Sequence, residues 1–544
     1  MAGTGKPPAT PNTTIMIPFT DFLDTAARRA FARLDAAMNR LYGWRGNPVY
    51  QSGALTSALL LLLIATGIYL LLFYRVGSPY ESVARITGQV WLGRWIRGLH
   101  RYASDAAVIA AALHAFRLFA QGRRWGPRTL AWVSGAVLFG LILVCGWTGY
   151  VMVWDTFGQV LAVEGARLMD LLPLFSEPIG RAFTGERALG GAFFFLNLFL
   201  HIALPIGLGI VLWLHVSRVA RPVLLPPRRL MWTVFALLTA AAVILPVRMA
   251  PEATAFARPE AVPLDLFYAF WLPLTEGRPV WVIWAIGAAV TLAVLLVPLW
   301  ARPAAARQPP KSVVDERLCT GCRQCALDCP YEAIEMLPRT DGRADVVAHV
   351  TPALCVSCGI CAGSCAPMGV GPPGRTGRDQ LERIRAFVTR RGPGPGDVVV
   401  IACTRGAGGL WEHEVIEGNP VYAVQCAGNL HTSVIEYLVR AGAGGVLVAG
   451  CPPRDCWNRE GSRWLEERIY HDREAELKER VDRRRIRLAV GGRGERAALL
   501  AELRRFQAEV RALAAAPGED VIDLLLLCEP DIGAAEPPGG GKEG

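Results

Sequence analysis

Cysteines in two evenly spaced runs are the residues best suited to do chemistry. The chain has 14 cysteines, and 12 of them lie between Cys319 and Cys456. Thiolates at C-x-x-C-x-x-C-x-x-x-C intervals wrap iron–sulfur clusters, and the fourth cysteine of each run ligates the cluster of the other run. The spacing therefore predicts two 4Fe–4S centres, one on Cys319, Cys322, Cys325 and Cys365, and one on Cys355, Cys358, Cys361 and Cys329. Zinc is the alternative for paired cysteines, and the doubled pattern argues against it.

A third cysteine set is Cys403, Cys426, Cys451 and Cys456. Each cysteine follows or closely trails an apolar run such as VVVIAC, VYAVQC or GVLVAGC. These runs alternate with helical patterns and predict a small α/β domain with a parallel sheet. The thiols would then meet at one edge of the sheet and hold a 2Fe–2S cluster. Zinc or redox-active thiols are the alternative.

Histidines form a second repeated pattern. His100 and His114 are 14 residues apart, and so are His201 and His215. This interval corresponds to about 21 Å of helix. Two such helices, side by side and running in the same direction, can hold two flat groups, one between His100 and His201 and one between His114 and His215. Bis-imidazole ligation of two b haems fits this arrangement, and four unrelated membrane histidines in polar networks are the alternative.

Glycines repeat the same interval in neighbouring apolar segments. The pairs are Gly53 with Gly67 and Gly135 with Gly149. Because glycine has no side chain, we expect these positions to admit the edges of the two porphyrins.

Apolar segments must position the histidines. The chain has 544 residues, is 52% hydrophobic and only 19% charged, which excludes disordered and fibrous classes. Six stretches approach the roughly 20 apolar residues that a membrane helix needs. They are Ala54–Tyr74, Leu99–Ala120, Leu130–Trp154, Gly191–Val216, Met231–Val247 and Val280–Trp300. The excess of 57 Lys and Arg over 47 Asp and Glu forms no basic run interleaved with aromatics, so no nucleic acid partner is expected.

The predicted fold class is multidomain: an all-α transmembrane bundle, an α+β cysteine-rich domain and a small α/β domain. The predicted boundaries are 1–50 for an N-terminal segment, 51–303 for the bundle, 313–372 for the cysteine-rich domain, 397–515 for the α/β domain and 516–544 for a tail. Within the first segment, Thr20–Tyr42 has apolar residues every three or four positions, which predicts an interfacial amphipathic helix.

Loop arginines predict the orientation. The denser set is Arg117, Arg123, Arg124, Arg128, Arg218, Arg221, Arg228 and Arg229. Positive loops favour the cytoplasmic side, so we expect an inner-membrane protein whose cysteine domains face the cytoplasm. The first residues lack a charged-then-apolar signal segment.

The stretches WIRGLHRYASDAAVIAAALHAFRLF, TLAWVSG and GWTGYVMVWD resemble the cytochrome b/b6 family over Tyr50–Trp300. The resemblance implies that Arg97 and Arg117 contact haem propionates and that the bundle forms a homodimer. Gln51 occupies the place of the cysteine that attaches an extra haem in chloroplast-type b6, so that haem is not expected. Pro263-Leu264-Asp265-Leu266 replaces the family's Pro-Glu-Trp-Tyr motif. Asp265 either serves as the quinol proton acceptor one position along, or this quinol site is inactive.

The paired cysteine runs resemble bacterial-type ferredoxins. The stretch VQCAGNLHTSVIEYLVRAGAGGVLVAGCPPRDC resembles the delta subunit of methyl-viologen-reducing hydrogenase over Asp397–Leu513. That family carries electrons into the flavin-containing subunit of heterodisulfide reductase, HdrA. It often has paired cysteines at the first ligand position, where this chain has only Cys403. The resemblance implies a partner that is an HdrA-like flavoprotein or another soluble oxidoreductase.

These features predict a membrane-anchored electron-transfer subunit of a quinone-linked oxidoreductase. The expected path runs from quinone to the haems, the 4Fe–4S pair, the 2Fe–2S cluster and then the soluble partner. One alternative is a cytochrome bc-like subunit that oxidises quinol and works with a Rieske protein and cytochrome c. The other is a non-catalytic redox sensor or assembly scaffold.

Overall fold

The computed structural model contains a helical bundle, a cysteine-rich domain and an α/β domain. It describes residues 19–172, 179, 183, 191–217, 222–254, 265–301, 310–343, 345–406, 415–453, 455–471 and 473–515. The predicted tail 516–544, the start of the N-terminal segment, Pro263, Leu264, Arg218 and Arg221 lie outside the described residues.

Helices form at all six predicted apolar stretches. The helices of this part are α1 (Phe19–Gly46), α2 (Ser52–Phe73), α3 (Pro79–Gly88), α4 (Gly93–Ala120), α5 (Thr129–Val151), α6 (Thr156–Met169), α7 (Gly191–Ser217), α8 (Arg228–Ile244), α9 (Leu272–Thr275), α10 (Val280–Leu295) and α11 (Val297–Trp300). By length and composition, α2, α4, α5 and α7 can cross a membrane. The fifth and sixth stretches form shorter helices, with 17 residues in α8 and 16 in α10.

The long helices pack as two antiparallel pairs. Helix α2 lies along α4, which also packs against α8, and α5 lies along α7. Much of the outward surface is apolar: Leu72 is 76% exposed and Trp213 is 66% exposed. Such outward-facing side chains are suited to lipid, because hydrocarbon satisfies no polar group.

The cysteine-rich domain is built from two short hairpin-like pairings. Strand β1 (Val313–Val314) pairs with β4 (Val370–Gly371), and β2 (Ile334–Pro338) pairs with β3 (Val346–Val350), both antiparallel. Single-turn helices α12 (Gln324–Leu327) and α13 (Ile360–Gly363) carry the third cysteine of each run. Helix α14 (Gly377–Arg391) then leads to the next domain.

The α/β domain has the predicted parallel sheet. Its strands are β5 (Val398–Cys403), β6 (Val415–Ile416), β7 (Asn419–Val424), β8 (Gly445–Gly450) and β9 (Ile486–Val490), and its helices are α15 (Thr432–Arg440), α16 (Gly461–Tyr470) and α17 (Arg496–Ala515). The strand order is β6-β7-β5-β8-β9, with only β6 antiparallel to its neighbour. The central strands are buried on both faces, which explains their continuous apolar runs.

Helix α1 makes contacts that its amphipathic pattern does not predict. Arg28 Nε donates to the Ala120 carbonyl at the end of α4, at 3.1 Å. On another turn, a side chain at Gly494 of the α/β domain would come within 2.2 Å of the Ala32 carbonyl. Helix α1 therefore lies between the bundle and the α/β domain. We call the end of the bundle that meets this domain, residues 114–128, the docked end.

Arg468 tests the interface between the two cysteine-bearing domains. Its fully buried side chain donates to Ser364 Oγ at 2.9 Å and to the Gly428 carbonyl at 2.8 Å. We expect Arg468→Met to weaken this interface by about 3 kcal/mol, because buried acceptors lose a charged donor. The measurement is the rate of trypsin cleavage between the domains in the full-length protein. Arg463→Met, at a side chain 56% exposed, is the matched control; equal rates for both variants would contradict the expectation.

Candidate electron-transfer centres

The four histidines form two pairs between α4 and α7. The ring centroids of His100 and His201 are 6.5 Å apart, with the planes inclined at 57°. A metal bound by two imidazole nitrogens at about 2 Å each needs centroids roughly 6 Å apart. At the other end of α4 and α7, His114 and His215 are close enough for the charge of one imidazole to act on the other. The spacing of the first pair fits an iron held between its two rings.

Each of the four repeated glycines lies against one histidine. A side chain on Gly53 would begin 2.8 Å from His114 Cε1, and one on Gly67 would begin 3.4 Å from His100 Cε1. On α5, the corresponding distances are 3.2 Å from Gly135 to His215 and 3.1 Å from Gly149 to His201. The missing side chains therefore leave room for the imidazole rings themselves.

Hydroxyl side chains hold three of the histidines, and sequence reasoning missed them. The contacts to histidine Nδ1 are Thr66 with His100 at 2.8 Å, Ser134 with His215 at 3.0 Å and Thr148 with His201 at 3.0 Å. Each hydroxyl also donates to a carbonyl of its own helix, namely Leu62, Leu130 and Cys145. The hydroxyl oxygen is then free to accept from Nδ1–H, which leaves Nε2 as the metal-binding nitrogen. The available signal was a Ser or Thr directly before each repeated glycine.

The two arginines assigned to propionates have protein partners. Arg97 donates to Thr87 Oγ1 at 3.1 Å and to the Val247 carbonyl at 2.9 Å. Arg117 donates to Asp35 at 3.2 Å and to Asp455 at 2.6 Å. The propionate role of both arginines stays a prediction.

Buried donors at the docked end fit an added anionic group. Among the described residues at or beside this end, the donors Gln51 Nε2, Arg117 Nε and Arg123 Nε are buried without a hydrogen-bond partner, as are the acceptors Asp35 Oδ1 and Gln121 Oε1. Unpaired buried donors are rare in native proteins, and carboxylates pair well with them. This end of the bundle therefore fits a haem bound at His114 and His215 by the chemistry of its donors.

Asp265 is anchored in a network at the opposite end of the bundle. One carboxylate oxygen accepts from Tyr150 at 2.5 Å and from Arg101 at 2.9 Å, and the other accepts from two backbone amides. Burial raises the pKa of Asp265, but these hydrogen bonds and the arginine charge hold it below its ordinary value overall. An ionised, paired carboxylate favours an anchoring role. Its role as quinol proton acceptor stays a prediction.

The two cysteine runs surround two cavities, and the partition follows the crossed assignment. One cavity is lined by Cys319, Cys322, Cys325 and Cys365. The other is lined by Cys329, Cys355, Cys358 and Cys361. Each cavity thus has three thiols from one run and the fourth from the other run, as two cubane clusters require.

The third cysteine set meets at the carboxyl edge of the parallel sheet. Cys403 Sγ lies 3.8 Å from Cys451 Sγ. A side chain on Gly461 would begin 2.8 Å from Cys426 Sγ and 3.4 Å from Cys456 Sγ. A hydrogen bond from Cys451 lowers the pKa of Cys403 to about 6. Four buried thiols gathered at one edge of the sheet form a suitable ligand set for a metal cluster.

Comparisons with known proteins divide the chain in the same way. The family model described as cytochrome b/b6/petB matches residues 45–221. The 4Fe-4S dicluster domain matches residues 318–369. The methyl-viologen-reducing hydrogenase delta subunit matches residues 408–514. The predicted fusion of a cytochrome b-like bundle, a ferredoxin-like domain and a delta-subunit-like domain is confirmed.

Relatives of the bundle are quinol-linked proteins. The menaquinol:cytochrome c reductase cytochrome b subunit of Geobacillus thermodenitrificans is 28% identical over 31% of this chain and 79% of its own length. Cytochrome b6 of Synechococcus sp. (strain JA-3-3Ab) is 32% identical over 27% of this chain and 69% of its own length. A solved structure described as hyperthermophilic respiratory Complex III matches 48% of this chain and 78% of its own, with TM-score 0.38 and 17% identity.

Substituting Gly53 tests the space beside His114. We expect Gly53→Val to displace the His114 ring, because the added Cβ would lie only 2.8 Å from Cε1. The haem content of the purified protein should fall by about half, as measured by the pyridine haemochrome assay. Gly140→Val is the control, since nothing lies within 4 Å of its Cβ position. Equal haem contents in the two variants would contradict the assignment.

Ser134 tests the histidine hydrogen bond. We expect Ser134→Ala to keep the haem and raise its midpoint potential, because His215 loses an acceptor that strengthens its donation to ferric iron. The shift should be about 40 mV, equivalent to one hydrogen bond of about 1 kcal/mol in a one-electron couple. Optical redox titration measures it. An unchanged or lower potential would show that the Ser134 hydroxyl does not tune this centre.

Proposed function

This chain belongs to the cytochrome b/b6 family through residues 45–221, and on that premise we propose that it passes electrons between quinone and a soluble redox partner. It is a multi-pass membrane electron-transfer subunit that carries haem b and 4Fe–4S clusters. We assign it two b haems, two 4Fe–4S clusters and one 2Fe–2S cluster. The observation that carries this proposal is the contact between the docked end and the segment that holds Cys451 and Cys456.

The chain's own residues orient and separate the carriers. Haem and iron–sulfur clusters, when bound, each accept and donate one electron at a time. The hydroxyls of Thr66, Ser134 and Thr148 turn histidine Nε2 atoms toward the space between α4 and α7. The repeated glycines let α2 and α5 pack beside those rings, while the apolar bundle excludes water. The cysteine sets complete the path outside the membrane.

The membrane side and the partner follow from charge and similarity. Arg117, Arg123 and Arg128 lie at the docked end and contact the α/β domain. By the positive-inside rule, we propose that both cysteine domains lie on the cytoplasmic side of the inner membrane. Similarity to the hydrogenase delta subunit supports an HdrA-like flavoprotein as partner. We also propose that the bundle forms the homodimer that its family resemblance implies.

A second candidate role rests on the named relatives. One of them is the cytochrome b subunit of a menaquinol:cytochrome c reductase, which favours a bc-like subunit that oxidises quinol and works with a Rieske protein and cytochrome c. The proteins that copurify with the full-length chain after gentle extraction from native membranes separate the two roles. A flavoprotein supports the main proposal, and a Rieske protein with cytochrome c supports the second.

Replacing one histidine tests the haem assignment and its link to quinone. We expect a menaquinol analogue to reduce haem in the purified full-length protein. In His201→Leu, haem content should fall by about half, because one haem would lose a histidine that holds it. His349→Leu, on the exposed face of β3, is the matched control. Reduced-minus-oxidised absorption spectra measure both effects. A His201→Leu protein with its full haem content, or haem that quinol leaves oxidised, would refute the proposal.

A further inference from the structure

The segment carrying two cysteines of the α/β domain is bound directly to the bundle. Arg123 follows α4 at the docked end and donates to the Cys456 carbonyl at 2.9 Å and to the Asp455 carbonyl at 3.2 Å. Asp455 itself accepts from Arg117 at 2.6 Å and from Gln121 at 2.7 Å. His114 lies six residues before Ala120, the last residue of α4, which is about 9 Å along the axis. The segment that holds Cys456 therefore lies near the end of α4 that carries His114.

Trp457, directly after Cys456, contacts both the bundle and the α/β domain. Its carbonyl accepts from Arg128 at 2.9 Å, while the same guanidinium group reaches the ferredoxin-like domain through one longer hydrogen bond, to Tyr331 Oη at 3.3 Å. The guanidinium groups of Arg123 and Arg405 lie 5.3 Å and 4.5 Å from its ring centroid, one from the bundle and one from the α/β domain. Cation–π contacts on both sides fix the ring between the two domains.

The α/β domain contacts the ferredoxin-like domain beside both of its centres. His431 Nε2 lies 3.2 Å from the Cys365 carbonyl, whereas the segments that follow Cys426 and Cys456 meet the other centre. Asn429 donates to the Gly359 carbonyl, beside Cys358, at 2.9 Å. Arg459 donates to the Pro330 carbonyl, beside Cys329, at 3.0 Å. The charge of a Cys426 thiolate would also act on the Cys358 thiol. The neighbouring ferredoxin centre is therefore the one on Cys329, Cys355, Cys358 and Cys361.

The other ferredoxin centre lies toward solvent. Cys322 is exposed and Cys319 is half-buried, whereas Cys355 and Cys361, of the centre beside the α/β domain, are buried. Leu327 is 57% exposed on the turn that follows Cys325. A partly apolar surface beside an exposed ligand suits brief contact with a soluble redox protein.

We propose that the centre on Cys403, Cys426, Cys451 and Cys456 stands between the haems and the ferredoxin-like domain. The path then runs from the His114 and His215 pair to this centre, next to the Cys329, Cys355, Cys358 and Cys361 centre, and last to the Cys319, Cys322, Cys325 and Cys365 centre. A soluble electron-transfer protein meets the chain at the Cys322 surface. This order rests on the proposed function and differs from the order along the sequence, which predicts the α/β centre at the end of the path.

One electron moves in each transfer, and two electrons with two protons convert a quinone to a quinol. The test starts with full-length protein in nanodiscs, reduced with dithionite and freed of excess reductant. Menadione is then added as the oxidant, and freeze-quench EPR with haem absorption follows each centre through one turnover. In wild type, haem and cluster signals should both disappear.

Cys456→Ser removes the proposed middle centre. We expect its haems to re-oxidise as in wild type while the 4Fe–4S signals persist. Cys322→Ser, which perturbs the outermost centre, is the matched control and should leave re-oxidation of the remaining 4Fe–4S centre unchanged. Loss of the 4Fe–4S signals at the wild-type rate in Cys456→Ser would overturn the order. If haem signals are absent or do not respond to menadione in wild type, the proposed function has failed instead.

Asp455→Asn supplies a variant that keeps every cysteine. It weakens the contacts of Asp455 with Arg117 and Gln121, so cluster re-oxidation should slow several-fold while all EPR line shapes remain. Asp341→Asn is its control, because Asp341 pairs with Arg339 at 2.6 Å on the ferredoxin-like domain. Wild-type kinetics in Asp455→Asn, or equal slowing in Asp341→Asn, would count against electron passage through this contact.

Discussion

One buried guanidinium joins three parts of the chain. Arg117 is 5% exposed, and its side chain lies between Asp35 of α1 and Asp455 of the α/β domain, over the ring of Tyr50. Burial raises the pKa of Asp35 to about 6, although the Arg117 charge acts against this rise. A buried charge without partners is strongly destabilising, by about 3–5 kcal/mol when one partner is removed. Separation of the domains is therefore opposed by the need to keep Arg117 paired.

Fixed contacts between the domains would keep the proposed redox centres close enough to exchange electrons. Electron transfer slows steeply as carriers move apart, so centres on freely moving domains would exchange electrons only when the domains meet. Here the contact includes the segment between Cys451 and Cys456, two of the cysteines proposed to hold a cluster, rather than a remote surface. Arg468 then ties the α/β domain to the ferredoxin-like domain through Ser364. The soluble part and the bundle thus form one continuous set of contacts.

Patterns with a strict period allowed most elements to be predicted. The 14-residue interval of His100 and His114 places both on one face of a helix, and Gly53 and Gly67 follow because α2 runs antiparallel to α4. The strand-like runs before Cys403 and Cys451 predict a parallel sheet, which is confirmed. Thr66, Ser134 and Thr148 escaped prediction because hydroxyl residues are common in membrane helices, and only the neighbouring helix shows what they bind. The contacts of α1 with protein were not predicted for a similar reason, since an amphipathic pattern does not show whether the apolar face meets lipid or protein.

The sequence by itself determined the three modules and predicted the crossed cysteine assignment and the histidine pairs, because each depends on intervals within one helix, one strand or one cysteine run. Only the tertiary structure decided how the modules meet. Asp455 and Arg117 are 338 residues apart, and no local pattern links an aspartate between two cysteines to an arginine at a helix end. Their pairing brings the last cysteine module next to the bundle, which the ferredoxin-like domain meets through Arg128 and Tyr331. Spatial order therefore departs from chain order, because buried charges must find partners wherever the folded chain brings them together.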